Sequence, residues 1–321
     1  MKKRIGLFLG VLCALLGACS PSDKSQSLLE SGKIKVLSSI AMIDDVVGRV
    51  GGDRVEHSVL ILGEIDPHSY ELVKGDDEKI NQASLVFFNG LNLEHGASLQ
   101  HKISKHPHSV ALGDFILTHY PHLVLFEQGQ PDPHIWMDVS LWMGTIDPIL
   151  DALIGIDPEG KEYYEGRALL VKKEMGQFHK NLRERLQNIP EKKRYLVTSH
   201  DAFGYFTRAY LSSEEELISG GWKKRFAAPE GLSPDGQLGV ADLQKIIDYL
   251  KEYDVEVVFP ESNVSRDSLR KIVLACKEKK MNVRFSKESL YGDSMGPQGS
   301  SSGSYLGMIE HDGLVLIKEW E

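Results

Sequence analysis

Cysteine is nearly absent from this chain: three in 321 residues, at positions 13, 19 and 276. Cys13 and Cys19 fall in and at the end of an apolar leader, so only Cys276 remains for the folded part. That excludes an intrachain disulfide framework and a cysteine metal cluster. Cys276 itself lies in "SLRKIVLACKEKK", a helical pattern in which it reads as a small core residue. Positive charge is also scarce. Lys and Arg number 37 against 46 Asp and Glu, a formal net charge of −9, which becomes −12 once Lys2, Lys3 and Arg4 leave with the leader. A surface of that sign suits neither nucleic acid nor an electrostatic hold on anionic lipid. The sequence His-Glu-x-x-His, which would point to a zinc hydrolase, does not occur.

What is present begins with that leader. "MKKR" is a basic start, and residues 5–18 are an apolar run of 14, too short to span a bilayer as a helix. It stops at "LLGAC", small residues directly before Cys19. This resembles a bacterial lipoprotein signal, in which Cys19 becomes the lipidated first residue; the alternative is an ordinary secretory signal. The polar "SPSDKSQS" that follows reads as a flexible tether. The expected layout is a signal at 1–18 and a lipidated tether at 19–32.

About 300 residues remain, room for two α/β domains. Short apolar runs ("IKVLSSI", "SVLIL", "LVFFNG", "SVAL") alternate with helical patterns such as "AMIDDVVGRV" and "DDEKINQA". That alternation predicts a mostly parallel sheet with covering helices. From Pro158 to Ile189 the apolar residues Met175, Phe178, Leu182, Leu186 and Ile189 step by 3, 4, 4 and 3, one face of a long helix bounded by Pro158 and Pro190. Gly160, Gly166 and Gly176 weaken it locally. The α/β alternation then restarts with "RYLVTS", "VEVVFP" and "NVRFS" as strands. The fold class predicted is therefore α/β, with two lobes (33–157 and 190–321) joined by one long helix (158–189). The charged, glycine-rich stretch "LSSEEELISGGWKKRFAAPEGLSPDGQ" reads as a surface excursion.

The tripeptide Asp-Pro-His occurs twice, at 66–68 and 132–134. Proline fixes its own φ and pushes the preceding residue towards extended backbone, so each histidine leaves a stiffened turn. His68 follows an apolar strand run, His200 ends "RYLVTSH", and Asp293 in "YGDSMG" follows the last strand. In open α/β sheets, ligands bind beyond the carboxyl ends of strands. With His134 from a loop, the four divide two and two between the lobes and could meet in the cleft. Three imidazoles and a carboxylate suit a first-row divalent ion, leaving a net charge near +1. A trivalent ion would want an extra anion, so a divalent one is expected. Each residue also has an ordinary alternative: solvated loop histidines at 68 and 134, a helix cap at 200, a turn residue at 293. Asp66, Asp132, Asp201 and Glu261 are candidates to orient the imidazoles. His101, His106, His108, His119 and His122 read as surface residues.

The motifs "DPHSYE", "FFNGLNLE", "DPHIWMDV", "TSHDAFGYF", "GLSPDGQ" and "YGDSMGPQGSSSGSYLGM" occur in order over nearly all of the mature chain. Together they resemble the metal-binding lipoproteins of bacterial ABC importers for manganese, zinc and iron (cluster A-I, or cluster 9). The resemblance implies a long linking helix that limits lobe movement, and metal ligands at His68, His134, His200 and Asp293. It implies one Mn2+, Zn2+ or Fe2+ as cargo, an ABC permease as partner, and a monomer held by lipid on Cys19 outside the cytoplasmic membrane. It departs from dedicated zinc binders, which carry a long His-rich loop where this chain has only His119 and His122. An enzyme is not expected. A secreted zinc hydrolase and a surface adhesin remain as alternatives.

Overall fold

The computed structural model describes residues 32–234 and 239–321; the leader, Cys19 and nearly all of the tether lie outside them. Among the described residues the first sheet has four strands in the order β2-β1-β3-β4, all parallel: β1 (Ile34–Ser38), β2 (Val55–Val59), β3 (Leu85–Phe88) and β4 (Ser109–Ala111). Helices α1 (Ala41–Gly51), α2 (Asp76–Gln82) and α3 (Ala97–Ile103) make the crossovers, and α4 (Leu112–His119) follows β4. The central β1 and β3 are apolar and buried, as strands covered on both faces must be.

The second strand starts earlier than the run "SVLIL" suggests. β2 is the polar "VEHSV", an edge strand whose middle residues face water. Leu60 and Ile61 are buried just past its end, where their N–H groups donate to Ser38 O (2.8 Å) and Ser39 O (3.0 Å). The apolar run thus marks the chain diving under the sheet's carboxyl end rather than the strand.

A small hairpin, β5 (Phe126–Glu127) and β6 (Gln130–Pro131), precedes the short α5 (Val139–Trp142) and α6 (Ile146–Ile156). The long helix α7 (Lys161–Gln187) is entered through a 3-10 turn at Pro158–Gly160. Met175, Leu182, Leu186 and Ile189 are buried and Phe178 half-buried, so the predicted stripe is the packed face. Gly166 and Gly176 do not interrupt it.

Beyond α7, parallel pairs β7 (Leu196–Val197) with β8 (Phe226–Ala227) and β9 (Val257–Val258) with β10 (Arg284–Phe285) are joined by Phe259 N–H donating to Val197 O at 2.8 Å. Between β7 and β8 lie α8 (Gly204–Phe206) and α9 (Glu214–Ser219). Helices α10 (Val240–Glu252) and α11 (Asp267–Glu278) pack on one another. Around them a second core gathers Val258, Leu269 and the fully buried Cys276. The last helix, α12 (Tyr305–Trp320), returns to α7 and α1. The main core runs without a break from β1 and α1 through α7 to Phe259 and α12.

The stretch expected as a surface excursion is in part built into the body. α9 carries a capping box between Ser213 and Glu216. In the 3-10 turn Gly221–Arg225 that follows, Trp222 and Arg225 point inward while Lys223 and Lys224 face water. Arg225 is 1% exposed and pairs with Glu216 and, at 2.6 Å, with Glu191. Mixed charge looked solvated in the sequence because the acidic partners of this arginine lie 9 and 34 residues away.

Candidate metal centre

Both Asp-Pro-His segments fold into the same Asx turn. Asp66 Oδ1 accepts the His68 N–H at 2.9 Å, and Asp132 Oδ1 accepts the His134 N–H at 2.9 Å. The aspartate holds the backbone two residues on and the proline holds φ between them, which aims the imidazole. The two turns differ in one respect. Asp132 Oδ1 also contacts His134 Nδ1 at 2.7 Å, whereas the free oxygen of Asp66 accepts the Ser69 hydroxyl at 2.7 Å.

The rings meet. His68 Nε2 lies 3.2 Å from His134 Nε2. Asp293 reaches His134 Nε2 at 3.4 Å, His200 Nε2 at 3.2 Å and His68 Nε2 at 3.9 Å. One donor atom from each of His68, His134, His200 and Asp293 falls within 4.8 Å of the other three, and all four residues are buried. Four loops supply them: after β2, before α5, after β7 and after β10. All four residues expected from the sequence are therefore brought together.

The surroundings orient the rings. Glu261 Oε1 accepts the N–H groups of Ser199 and His200, both at 2.9 Å, and its Oε2 lies 2.8 Å from His200 Nδ1, in close contact but out of line with a ring N–H. Asn263 donates to Asp293 Oδ2 at 3.3 Å. Gly292 leaves room for Glu261: a Cβ there would stand 2.3 Å from Oε2. Trp136 Nε1–H donates to Gly292 O at 2.8 Å, and Tyr305 OH donates to Trp136 O at 2.7 Å. These two bonds tie the loop carrying His134 to the loop carrying Asp293. Of the four acidic residues read as possible orienters, Asp132 and Glu261 touch an imidazole. Asp66 holds only backbone and the Ser69 hydroxyl. Asp201 is half-buried beside Asp132, and loss of solvent, with the Asp132 charge, pushes its carboxyl up to about 7.

The electrostatics fit a cation. Burial drives His68 down to about 3, against the pull of Asp293. Burial also works against charge on His134 and His200. There the carboxylates win: Asp132 and Asp293 raise His134 to about 9, and Glu261 and Asp293 hold His200 well above its ordinary value. Burial opposes the charge on Asp293 too, but His200 and His134 keep it ionised, well below the usual carboxylate range. In the ion-free state two imidazoles hold protons against the carboxylates. A metal ion seated between the four donors would take the place of those protons.

Of the histidines read as surface, His101, His108, His119 and His122 are exposed and His106 is half-buried. The sequence reading passed over His95, whose ring centroid lies 5.9 Å from that of His68.

The family model for zinc-uptake complex component A, periplasmic (ZnuA), matches residues 36–318. Metal-binding protein YtgA of Chlamydia trachomatis is 42% identical over 307 residues, 96% of this chain and 91% of that one. Manganese-binding lipoprotein MntA of Bacillus subtilis is 31% identical over 319 residues, 98% of this chain and 99% of that one. The crystal structure of Fe(III)-bound YtgA from Chlamydia trachomatis aligns with a TM-score of 0.84 at 41% identity, covering 90% of this chain and 98% of the other. The periplasmic zinc-binding protein TroA of Treponema pallidum aligns with a TM-score of 0.80 at 27% identity, covering 89% and 99%. The match over nearly the whole folded chain places it plainly: it belongs to the ZnuA family of periplasmic metal-uptake components.

Proposed function

We propose that this protein captures one first-row transition-metal ion as cargo, with His68, His134, His200 and Asp293 as its ligands, and delivers it to the permease of a metal ABC importer. The observation that carries this is the buried set of three imidazoles and one carboxylate within 4.8 Å, drawn from four separate loops. Four protein donors fill a tetrahedral ion, whereas a catalytic zinc keeps a position open for water. The set suits holding and transfer, and the relatives include a metal-binding protein and a manganese-binding lipoprotein. The remaining layout follows the same reading: lobes 33–157 and 190–321 bridged by 158–189, and a monomer anchored through lipid on Cys19 outside the cytoplasmic membrane.

The preference for a divalent ion changes once the surrounding carboxylates are counted. With Asp293 alone, a 2+ ion leaves +1. Including Asp132 and Glu261, which contact His134 and His200, a 2+ ion gives a formal −1 and a 3+ ion gives zero. Charge therefore does not exclude ferric iron, and one relative holds Fe(III). Intrinsic affinity at such a nitrogen-rich site rises from Mn2+ through Fe2+ towards Zn2+, so availability and the permease select the cargo.

The test is elemental analysis of soluble residues 20–321, followed by competition titrations with Mn2+, Zn2+ and anaerobic Fe2+. The expected result is one tightly held ion per chain, lost in His68→Ala and in Asp293→Ala and kept in the surface variant His101→Ala. Unchanged affinity in both ligand variants would overturn the assignment.

A further inference from the structure

The four donors are buried, so an arriving hydrated ion cannot meet them all at once. His68 forms part of the wall of a cavity of about 280 Å3 that is also lined by His95, Asn92, Glu127 and Gln128. Two features of that wall are unexplained by the inner site. His95 is half-buried, and its Nδ1 lies 3.2 Å from Asn92 O. A carbonyl oxygen only accepts, so Nδ1–H is the donor in that contact and Nε2 is the ring nitrogen left for a ligand. The loop that presents it is held at a cost. Leu91 (φ 51°) and Asn92 (φ 64°) both adopt left-handed backbone, unfavourable for a branched side chain such as leucine. The loop is riveted by the buried Glu94, which accepts the Asn89 N–H at 2.8 Å, the Gly90 N–H at 3.1 Å and the Ser39 hydroxyl at 2.6 Å. The second feature is Glu127 on the β5–β6 hairpin, an exposed carboxylate on the same cavity.

We propose that His95 and Glu127 form an outer station for the incoming metal ion, a mouth site at which it exchanges some of its water for one imidazole and one carboxylate before passing to His68. Imidazole nitrogen and carboxylate oxygen are ordinary ligands for first-row divalent ions. The His95 and His68 ring centroids lie 5.9 Å apart on the wall of the same cavity, which makes His68 the next imidazole along the path. His95 is not among the four whose donor atoms converge, so it does not belong to the inner site. The inference rests on the metal-capture reading above.

A station on the path has a kinetic signature that an inner ligand lacks. It lowers the barrier to entry and, by microscopic reversibility, the barrier to exit by the same factor, leaving the inner affinity unchanged. The experiment is stopped-flow mixing of Zn2+ with the ion-free protein, followed by Trp136, whose ring stands 5.3 Å from that of His134. A chelator chase gives the dissociation rate. In His95→Ala, in the more conservative His95→Gln and in Glu127→Gln, both rates are expected to fall together, by about three- to tenfold, at an unchanged Kd. His122→Ala, an exposed histidine away from the cavity, should match the parent. A weaker Kd with faster release in the His95 variants would make His95 a direct ligand and overturn the station. Unaltered rates in all three variants would overturn it as well. Failure of the parent protein to bind Zn2+ at all would instead count against the metal-capture reading itself.

Discussion

Two identical tripeptides give their histidines unequal support, and that difference can be measured. Asp132 grips both the backbone and the ring of His134, while Asp66 grips only the backbone of His68. Loss of a carboxylate that orients a ligating imidazole usually lowers metal affinity about 10- to 100-fold. Asp132→Asn is therefore expected to fall in that range and Asp66→Asn to stay within about threefold, by competition titration. Equal losses would mean that the turn, not the ring contact, matters. The protons give a second expectation. His134, raised to about 9 in the ion-free protein, holds at pH 7.5 a proton that the metal must displace, and His200 is shifted in the same direction. Binding should release roughly one to two protons per ion, and affinity should climb as pH rises from 6 towards the His134 value of about 9. Calorimetry in buffers of different ionisation enthalpy reads this directly; no proton release would contradict it. Much of this was legible in the chain. Proline before histidine marks a stiffened turn, and a strand end marks His200. Which aspartate touches a ring was not legible, because that depends on a rotamer. His95 was missed because the turn signal in Asn89-Gly90-Leu91-Asn92 marks a loop without saying that the histidine beyond it comes back beside His68, a contact set by the tertiary fold.

At the scale of elements, glycine carries opposite meanings in two helices that touch. A Cβ added at Gly166 or Gly176, inside α7, would meet nothing within 4 Å. A glycine in a helix interior costs about 0.5–1 kcal/mol relative to alanine. Gly166→Ala and Gly176→Ala should each raise the melting temperature by about 1–3 °C. Gly313 on α12 is the converse: a Cβ there would lie 2.5 Å from Leu182 Cδ1, on the packed face of α7. Gly313→Ala should destabilise by about 1–3 kcal/mol through overpacking. Differential scanning calorimetry of the three variants would decide, and a loss of stability at 166 or 176 would show that those glycines serve a contact. The sequence announced α7 through its apolar spacing and its bounding prolines, since helix periodicity is a local property. It misplaced β2 because an edge strand is set by its neighbour's hydrogen bonds, and here the polar "VEHSV" pairs residue for residue with β1.

Across the whole molecule, the two α/β halves share one main core, and the second half adds a smaller core of its own around α10 and α11. The main core passes from β1 and α1 through α7 to α12 and Phe259. Polar ties cross near the site as well: Trp136 to Gly292, Tyr305 to Trp136, and Tyr205 OH to Asp132 O at 2.9 Å. The sequence showed two rounds of α/β alternation and a helix between them. It could not show that the buried faces fuse, because which faces meet is decided by residues far apart in the chain. A shared, close-packed interior resists shear, since a packed core shifts between discrete arrangements rather than deforming smoothly. Metal loading should therefore move site loops rather than lobes. For a body of this size, with a radius of gyration of about 19 Å, small-angle scattering of ion-free and Zn2+-loaded protein should differ by less than about 0.5 Å. Hydrogen exchange should slow mainly in the four loops that carry His68, His134, His200 and Asp293. A contraction of more than about 1 Å on loading would mean that the halves close as separate bodies and that the shared core yields. If the body stays rigid, the bound ion leaves not by wholesale opening but through movement of those loops, which bonds such as Trp136 Nε1–H to Gly292 O and Tyr205 OH to Asp132 O hold together across the site.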